Sequence, residues 1–328
     1  MSTGIGTSVE ARALRLAEKA ASAEAIRPAI EPRRLTIERA GDVIVEIAAA
    51  GVNPSDVKAA MGMMPYAVFP RTPGRDFAGR VVAGPSELLG QEVFGTGGDV
   101  GIRRDGSHAT HLCVHRNALV PKPTGVAMRE AAGIGVPFVT AYEGLRRAGL
   151  PKAGEVVLVM GANGKVGQAA IQIATARGAR VIGVVRRPEP YRGHANAEVA
   201  ILDHSTQDVG EAVRGMTGGK GADIVFNTVG DPYYAAGTKA LAVTGRQIFI
   251  AAINKIVEFD IFAFYRGRHT YVGIDTLAFT AVQSAELLRD LVPDFASGAL
   301  RPFPVHDRFV YSLSDTRAAY LEVIGSAL

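Results

Sequence analysis

Three glycines spaced three residues apart, Gly161, Gly164 and Gly167, are the residues of this chain best suited to binding a phosphate group. They follow the apolar run 156–160, which is typical of a buried parallel strand, and they precede a stretch that predicts a helix. Glycine lets the backbone bend tightly and lets a pyrophosphate approach the main chain, and the N–H groups at the helix start hold the phosphates. The turn therefore predicts a dinucleotide-binding site. Its residues are Gly161, Ala162, Asn163, Gly164, Lys165, Val166 and Gly167.

Two arginines, Arg186 and Arg187, follow the next predicted strand, 180–185. A site that prefers NAD usually carries Asp or Glu near this point, where the carboxylate accepts from the ribose 2′-hydroxyl. A guanidinium instead binds a 2′-phosphate in bidentate fashion, and Lys165 adds a positive charge within the turn. The sequence therefore predicts NADP(H) as the cofactor, with Tyr191 as a candidate partner of Arg186. The alternative is that both arginines are solvated loop charges.

A second group of chemistry-bearing side chains comprises His108, His111, Cys113 and His115. In a strand, residues 111, 113 and 115 share one face, which could suit a soft metal. The string fits an ordinary strand with polar faces equally well, and such residues are commonly structural. We expect no metal site here.

The composition predicts a globular protein of two domains. The chain has 328 residues, nearly half of them apolar, with a net charge of +4 that is too small to indicate nucleic-acid binding. The single cysteine excludes an internal disulfide. No apolar run approaches membrane-spanning length and residues 1–30 hold no signal core, so we expect no membrane association and a cytoplasmic location.

The pattern of elements changes along the chain. Residues 11–125 predict a β-rich domain of short strands separated by Gly, Pro, Asn and Asp. These strands are Ala13–Leu16, Arg34–Glu38, Val43–Ala48, Gly79–Val82, Glu92–Phe94, Ala109–Val114 and Ala118–Val120. A helical pattern follows at 128–148, and we expect Pro137 to interrupt it.

Strands and helices then alternate, which predicts a doubly wound parallel sheet. The strands are 156–160, 180–185, 199–202, 222–226 and 245–250, and the helices are 167–177, 206–214 and 233–241. The last predicted elements are a strand at Thr270–Ile274, a helix at Gln283–Phe295, a strand at Arg308–Ser312 and a helix at Ser314–Ile324 with Ser314 as its N-cap.

Several local strings, in order and spacing, resemble the medium-chain dehydrogenase/reductase superfamily, and within it the zinc-independent quinone oxidoreductase (zeta-crystallin-like) and enoyl reductase branch. The strings are Ala50-Gly51-Val52-Asn53-Pro54-Ser55-Asp56, Pro73-Gly74-Arg75-Asp76-Phe77-Ala78-Gly79, Val136-Pro137, Thr140-Ala141-Tyr142, the turn 161–167 and Asn227-Thr228-Val229-Gly230. The similarity covers roughly residues 11–324. It implies an α/β fold in which a Rossmann domain, 127–276, is inserted into a GroES-like catalytic domain, 1–126, that is completed by 277–328. It also implies an active site in the cleft and a homodimer formed by sheet extension.

The resemblance also bears on the catalytic residues. Zinc-dependent members place a cysteine where this chain has Asn53, and a His-Glu pair where it has Arg75-Asp76. Asn53 and Arg75 are not zinc ligands, so the expected chemistry is metal-free. Asn53 is the candidate nearest the reacting centre; the alternative is that its string only begins a helix. Tyr66 is the candidate proton donor, although the family's tyrosine column falls on Met64 by simple counting; the alternatives are solvent and a loop tyrosine.

The resemblance further implies residues beside the nicotinamide half of the coenzyme, on one helix and at the ends of later strands. They are Thr140, Asn227, Val229, Gly230, Ala251, Gly273 and Ile274. The implied function is an NADPH-dependent oxidoreductase that transfers hydride, without metal, to a small electrophilic substrate: a quinone or an activated alkene such as an α,β-unsaturated carbonyl. Two alternatives stay open, a zinc-free alcohol or carbonyl dehydrogenase and a non-catalytic NADPH-binding sensor.

Overall fold

The structure is a computed structural model that describes residues 5–327, without the side chains of Ser326 and Ala327. Its strands, in chain order, are β1 (Ser8–Arg15), β2 (Ala29–Thr36), β3 (Asp42–Gly51), β4 (Asp76–Ala83), β5 (Glu92–Gly95), β6 (His111–His115), β7 (Val120–Pro121), β8 (Val156–Met160), β9 (Arg180–Val185), β10 (Val199–Asp203), β11 (Ala222–Asn227), β12 (Leu241–Phe249) and β13 (Thr270–Gly273). Its α-helices are α1 (Pro54–Ala60), α2 (Met128–Ala131), α3 (Gly135–Arg147), α4 (Lys165–Ala176), α5 (Val209–Met216), α6 (Tyr234–Ala240), α7 (Ile261–Gly267), α8 (Ala281–Ser297) and α9 (Thr316–Ala327).

The chain forms two compact units. The first contains the residues up to Val136, Thr276–Ala296 and the residues from Pro302 onward, and the second contains Pro137–Asp275 and Ser297–Arg301. The first division thus lies at 136/137, where the sequence predicted 126/127, because α2 packs against β3 and β4.

The first unit is β-rich. Its antiparallel five-stranded sheet has the order β6-β3-β4-β5-β7, and β1 and β2 pair as a separate antiparallel hairpin. Alternate residues of the sheet, such as Val43, Val45 and Leu112, form a core with Phe77 and Val93. Ile44, between Val43 and Val45, faces the other way and is also buried, in a second cluster with Ile37 and Ala83, so this part of the sheet is covered on both faces.

The second unit contains a six-stranded parallel sheet with the order β10-β9-β8-β11-β12-β13. When the six strands are renumbered from 1 (β8) to 6 (β13) along the chain, their order across the sheet is 3-2-1-4-5-6. This is the doubly wound arrangement that binds dinucleotides where the strand order reverses. The central strand β8 is buried along its whole length, as expected for a sheet covered on both faces. The predicted α/β class, a Rossmann sheet with a GroES-like domain, is confirmed.

Three local predictions were wrong. Residues 308–312 form no strand: Asp307–Phe309 is a 3-10 turn, and this segment has no partner strand. Ser314 is not an N-cap, because Leu313–Asp315 is a 3-10 turn that leads directly into α9. Pro137 does not interrupt a helix; it lies in the first turn of α3, where its missing N–H removes no intrahelical bond.

No helix within residues 5–327 combines the length and apolar character needed to cross a membrane.

Candidate active site and coenzyme site

Asn53 is buried in the first unit, directly before α1. Its backbone N–H donates to Oδ2 of Asp56 at 2.8 Å, and its carbonyl accepts from the Asp56 N–H at 2.9 Å. Pro54 takes the first helical position, where its missing N–H is not needed. The Asn-Pro-Ser-Asp string therefore begins a helix, and this turn fixes the Asn53 backbone.

The Asn53 side chain contacts Asp76, the first residue of β4. Asn53 Nδ2 donates to Oδ2 of Asp76 at 2.9 Å. Both Asp76 oxygens also accept from the backbone N–H of Val136, at 3.0 and 3.1 Å. Asp76 thus orients the Asn53 amide through Nδ2, and the Asn53 side chain also acts on the neighbouring Asp56 carboxyl, whose pKa burial raises and this side chain lowers.

A buried guanidinium lies beside these carboxylates. Arg75 is 3% exposed, and its Nε donates to the Gly97 carbonyl at 2.9 Å. Burial raises the pKa of both Asp56 and Asp76 to about 6, while the Arg75 charge acts in the opposite direction on each. The site therefore combines an oriented amide, two buried carboxyls with raised pKa values and one fixed positive charge.

His108 and Tyr320 form a buried pair that the sequence did not indicate as a unit, since 212 residues separate them. His108 Nε2 lies 3.2 Å from the Gly51 carbonyl, which can only accept, so this nitrogen carries the proton. Nδ1 lies 2.8 Å from the Tyr320 hydroxyl and accepts from it. Burial lowers the pKa of His108 to about 4, so the ring is neutral. The pair connects α9 to the end of β3, two residues before Asn53.

Tyr66 lies in the loop after α1, half-exposed and with a left-handed φ of 71°. The Arg103 guanidinium stacks on its ring, 4.2 Å from the centroid. No described residue forms a hydrogen bond with its hydroxyl. The loop thus fixes the ring and leaves the hydroxyl open to solvent, which permits either the proton-donor role or the alternative of a loop tyrosine.

The histidines and the cysteine near residue 110 are engaged in the fold. Alternate β6 residues 111, 113 and 115 share a half-buried face, as predicted. His111 Nδ1 lies 3.0 Å from Thr110 Oγ1, and His115 Nδ1 accepts from the Asn117 N–H at 3.2 Å. Among residues 5–327, no three His, Cys, Asp or Glu side chains lie close enough to share a metal ion.

In the second unit, the glycine turn has the tight geometry that its sequence predicts. Gly161 has φ +85°, and a Cβ there would lie 2.3 Å from Thr228 Oγ1. A Cβ on Gly167 would lie 2.2 Å from the Gly161 carbonyl oxygen. Gly164 is the N-cap of α4 and makes no side-chain cap hydrogen bond, so the helix start has no side-chain cap in the position that a phosphate would take.

The other turn residues have different surroundings. Ala162 is fully buried, whereas the helix-starting Lys165 is exposed and Val166 is half-buried. Desolvation lowers the pKa of Lys165. The Asn163 side chain contacts the segment after β9: its Nδ2 donates to the Pro190 carbonyl, and its Oδ1 accepts from the Arg192 N–H, both at 3.0 Å.

Arg186 and Arg187 follow β9 directly and are exposed. They begin an irregular connection, 186–198, that leads to β10. Tyr191 lies in it half-buried, and its hydroxyl donates to the His194 carbonyl at 2.9 Å. The hydroxyl is therefore held within the connection, whereas the sequence predicted Tyr191 as a partner of Arg186.

Tyr233 and His204 are two residues near Arg186 that the sequence did not indicate. The Arg186 charge acts on the pKa of Tyr233, although burial, which raises it, is the larger effect. His204 packs edge-on against the Tyr233 ring, with centroids 4.6 Å apart. Both residues follow strands of the parallel sheet at their carboxyl ends, and this shared position was the available signal.

The residues predicted beside the nicotinamide lie in the second unit. Asn227 ends β11, and its Oδ1 accepts from the N–H groups of Val229 and Gly230 at 3.0 and 2.8 Å. Gly230 has φ +103°, and a Cβ there would lie 2.5 Å from the Ala251 carbonyl oxygen. This packing brings the segments that follow β11 and β12 together.

The remaining predicted residues of this group lie on α3 and at β13. Thr140 is buried within α3. Gly273 ends β13, and the N–H of Ile274 donates to the Phe249 carbonyl at 3.0 Å. The structure thus places Ile274 at the end of β12, the strand after which Ala251 follows.

Two family models match the chain, an alcohol dehydrogenase GroES-like domain over residues 39–124 and a zinc-binding dehydrogenase over residues 166–290. A zinc-type alcohol dehydrogenase-like protein of Schizosaccharomyces pombe is 38% identical over 79% of this chain and 77% of its own length. Among solved structures, a quinone oxidoreductase of Pseudomonas syringae pv. Tomato has a TM-score of 0.78 and 24% identity over 97% of both chains. The CurK enoyl reductase has a TM-score of 0.79 and 24% identity over 96% of this chain and 96% of its own.

The two solved structures share the fold of this chain, whereas the Schizosaccharomyces pombe relative and the two family models indicate its family. On this evidence the chain belongs to the medium-chain dehydrogenase/reductase superfamily of oxidoreductases, which use nicotinamide coenzymes.

Proposed function

We propose that this chain is an NADPH-dependent reductase that transfers hydride, without a metal ion, to a quinone or an activated alkene. The observation that carries the coenzyme assignment is the pair of exposed arginines, Arg186 and Arg187, directly after β9. A 2′-phosphate carries negative charge that guanidinium groups bind and that the carboxylate of an NAD site would repel.

The residues around Asn53 support chemistry without zinc. Asn53 and Arg75 occupy positions where zinc-dependent members carry ligands, and neither suits the ion. The Arg75 guanidinium is also buried beside Asp76, and a second cationic charge at that place would be repelled. The Schizosaccharomyces pombe relative is named as zinc-type, so zinc content is a direct test of this part of the proposal.

Reduced nicotinamide, when bound, supplies the hydride. A conjugated acceptor spreads the incoming charge onto an oxygen, where a hydrogen-bond donor stabilises it. In this proposal the Asn53 amide donates to that oxygen, and Asp76 holds the amide in the required orientation. Tyr66 donates the proton that completes the reduction of an alkene.

A panel of acceptors tests the reaction. NADPH absorbance would be followed with quinones, enones, acrylates and enoyl thioesters, and we expect at least one class to accelerate NADPH oxidation. Metal analysis of the same preparation is expected to find no stoichiometric zinc. Failure of every acceptor despite NADPH binding would favour a sensor, and turnover of alcohols with NADP⁺ alone would favour a dehydrogenase.

Titration of the two coenzymes tests the selectivity. We expect tighter binding of NADPH than of NADH, and Arg186→Asp to lower or reverse that preference. Arg177→Asp is the matched control, because it makes the same charge change at the far end of α4. Tighter NADH binding by the unchanged protein would contradict the coenzyme assignment.

We further propose that the protein is a homodimer formed through the second unit. Strand β13 is an edge of the parallel sheet, and the neighbouring segment exposes large apolar side chains. These include Ile253, Ile256, Ile261 and Phe262, which are 63–88% exposed. Sedimentation analysis is expected to give twice the chain mass, and Phe262→Asp to give the monomer.

A further inference from the structure

The connection between β9 and β10 carries Arg186 and Arg187 but contains no helix. Its thirteen residues, 186–198, therefore lack the intrahelical hydrogen bonds that usually order a crossover between parallel strands. The end of β9 holds the start of the connection, and side-chain contacts must order the residues that follow the two arginines.

We propose that Asn163 is a positioning residue that sets the preference for NADPH by fastening this connection to the glycine turn. The inference rests on the proposed NADPH preference and deepens it. Asn163 thus affects the preference for NADPH over NADH. Its side chain acts by holding the connection and does not touch the coenzyme.

The Asn163 side chain makes two hydrogen bonds to the backbone of the connection, at Pro190 and Arg192, and we call this pair of bonds the Asn163 clamp. The Asn163 amide donates to the Pro190 carbonyl and accepts from the Arg192 N–H, both at 3.0 Å. Its backbone carbonyl accepts from Nε2 of the buried Gln168 at 2.8 Å, which holds Asn163 itself against α4. One donor and one acceptor on a planar amide fix both the position and the orientation of the bound backbone.

Further side-chain hydrogen bonds tie the far end of the connection to the rest of the unit. The N–H of Asn196 donates to Thr175 Oγ1 at 3.1 Å, and its Nδ2 donates to the Ala299 carbonyl at 2.9 Å. These bonds hold the end that enters β10. The Asn163 clamp therefore holds the middle of the connection, closer along the chain to Arg186 and Arg187.

Removing the clamp should affect the two coenzymes differently. Arginines on an unfastened segment must be ordered when they bind a phosphate, and this ordering weakens binding. NADH has no 2′-phosphate, so its binding depends on the glycine turn and not on the arginines. Loss of Asn163 should therefore weaken NADPH much more than NADH.

The test compares Asn163→Ala with Asn196→Ala, a matched control that removes one side-chain hydrogen bond from the other end of the same connection. Fluorescence titration should show the NADPH-to-NADH affinity ratio falling on the order of tenfold in Asn163→Ala and changing less than about twofold in Asn196→Ala. Without coenzyme, trypsin should cut after Arg186 or Arg192 faster in Asn163→Ala than in the unchanged protein.

An unchanged NADPH-to-NADH affinity ratio in Asn163→Ala would overturn the inference. This holds also where both affinities fall equally, because a general loss of structure in the turn produces that result. A preference of the unchanged protein for NADH would instead refute the proposed coenzyme. In that case the trypsin comparison still tests whether Asn163 holds the connection. Cleavage of Asn163→Ala at the rate of the unchanged protein would show that it does not.

Discussion

Asn53 donates a hydrogen bond to Asp76 at 2.9 Å, and both side chains are buried in the first unit. The carboxylate also accepts from the backbone N–H of Val136, so it joins three separate parts of the chain. The orientation of the Asn53 amide thus depends on the charge and hydrogen-bonding capacity of a residue 23 positions away.

Asp76→Asn is expected to lower kcat on the order of tenfold, because it removes the negative charge that strengthens the bond from the Asn53 amide and replaces one acceptor oxygen with an NH2 group, so the amide is held less firmly. The NADPH dissociation constant should stay the same, because the residues assigned to the coenzyme lie in the second unit. Asp307→Asn, at a side chain that is 96% exposed, is the control and should change neither value. Full activity of Asp76→Asn would show that the contact does not position Asn53 for the reaction.

The same variant should alter how stability depends on pH. Burial raises the pKa of Asp76 to about 6, so its folded form binds a proton more tightly than the unfolded chain does. The resulting stabilisation is complete below the unfolded pKa of about 3.9 and is lost as pH rises through 6. Relative to the unchanged protein, Asp76→Asn should therefore gain unfolding free energy between pH 4 and pH 7, by about 1.4 kcal/mol for each unit of pKa shift.

Denaturant unfolding at several pH values measures this difference. Asp56, whose pKa burial also raises to about 6, contributes with the same sign. His108 contributes with the opposite sign, because its pKa is lowered to about 4 and its stabilisation is lost as pH falls through that value. Both groups are present in the variant, but each is coupled to the Asp76 charge, so the comparison measures Asp76 together with this coupling. A difference that does not change with pH would contradict the raised pKa of Asp76.

Much of the second unit could be predicted from local sequence. Val156–Met160 and Arg180–Val185 are strands with the predicted ends, because each is an apolar run bounded by Gly, Glu or Arg. Residues 308–312 have a similar local pattern and form no strand. A strand needs a neighbour with free backbone groups, and that condition depends on the fold and not on the segment.

The candidate site, too, has one part that the sequence could predict and another part that depends on the fold. The glycine turn is a contiguous motif, so its residues could be assigned from their spacing. The Asn53–Asp76 contact and the His108–Tyr320 pair depend on strands and helices that only the fold brings together. The Asn163 clamp was hidden for another reason, because the motif suggested a phosphate contact and gave no sign of the connection that its side chain holds.

Tyr320→Phe should destabilise the first unit by about 1–3 kcal/mol, since it leaves Nδ1 of the buried His108 without a donor. Tyr311→Phe is the matched control; that tyrosine is half-buried in the same C-terminal segment, with no hydrogen bond to a described residue, and its change should be within about 0.5 kcal/mol. Equal effects of the two substitutions in denaturant unfolding would exclude a specific contribution of the His108–Tyr320 bond.

Gly167→Ala should abolish measurable coenzyme binding, because its Cβ would lie 2.2 Å from the Gly161 carbonyl oxygen and the turn would have to open. Gly215→Ala makes the same substitution in α5, where a Cβ meets nothing within 4 Å, and should stabilise the protein by about 0.5–1 kcal/mol. Thermal unfolding with and without NADPH measures both effects. Normal NADPH stabilisation of Gly167→Ala would show that the coenzyme binds elsewhere.

Tyr66→Phe separates two routes for the proton. The substitution keeps the ring on which Arg103 stacks at 4.2 Å and removes only the hydroxyl. Reduction of an alkene needs a proton at carbon, so we expect kcat with an enone to fall more than about tenfold, the range of a positioned general acid. Reduction of a quinone places its protons on oxygen, where water can supply them, and kcat with a quinone should change little. A loss below about tenfold with every enone would remove Tyr66 from acid catalysis, and an equal loss with quinones would assign the hydroxyl to binding instead of proton transfer.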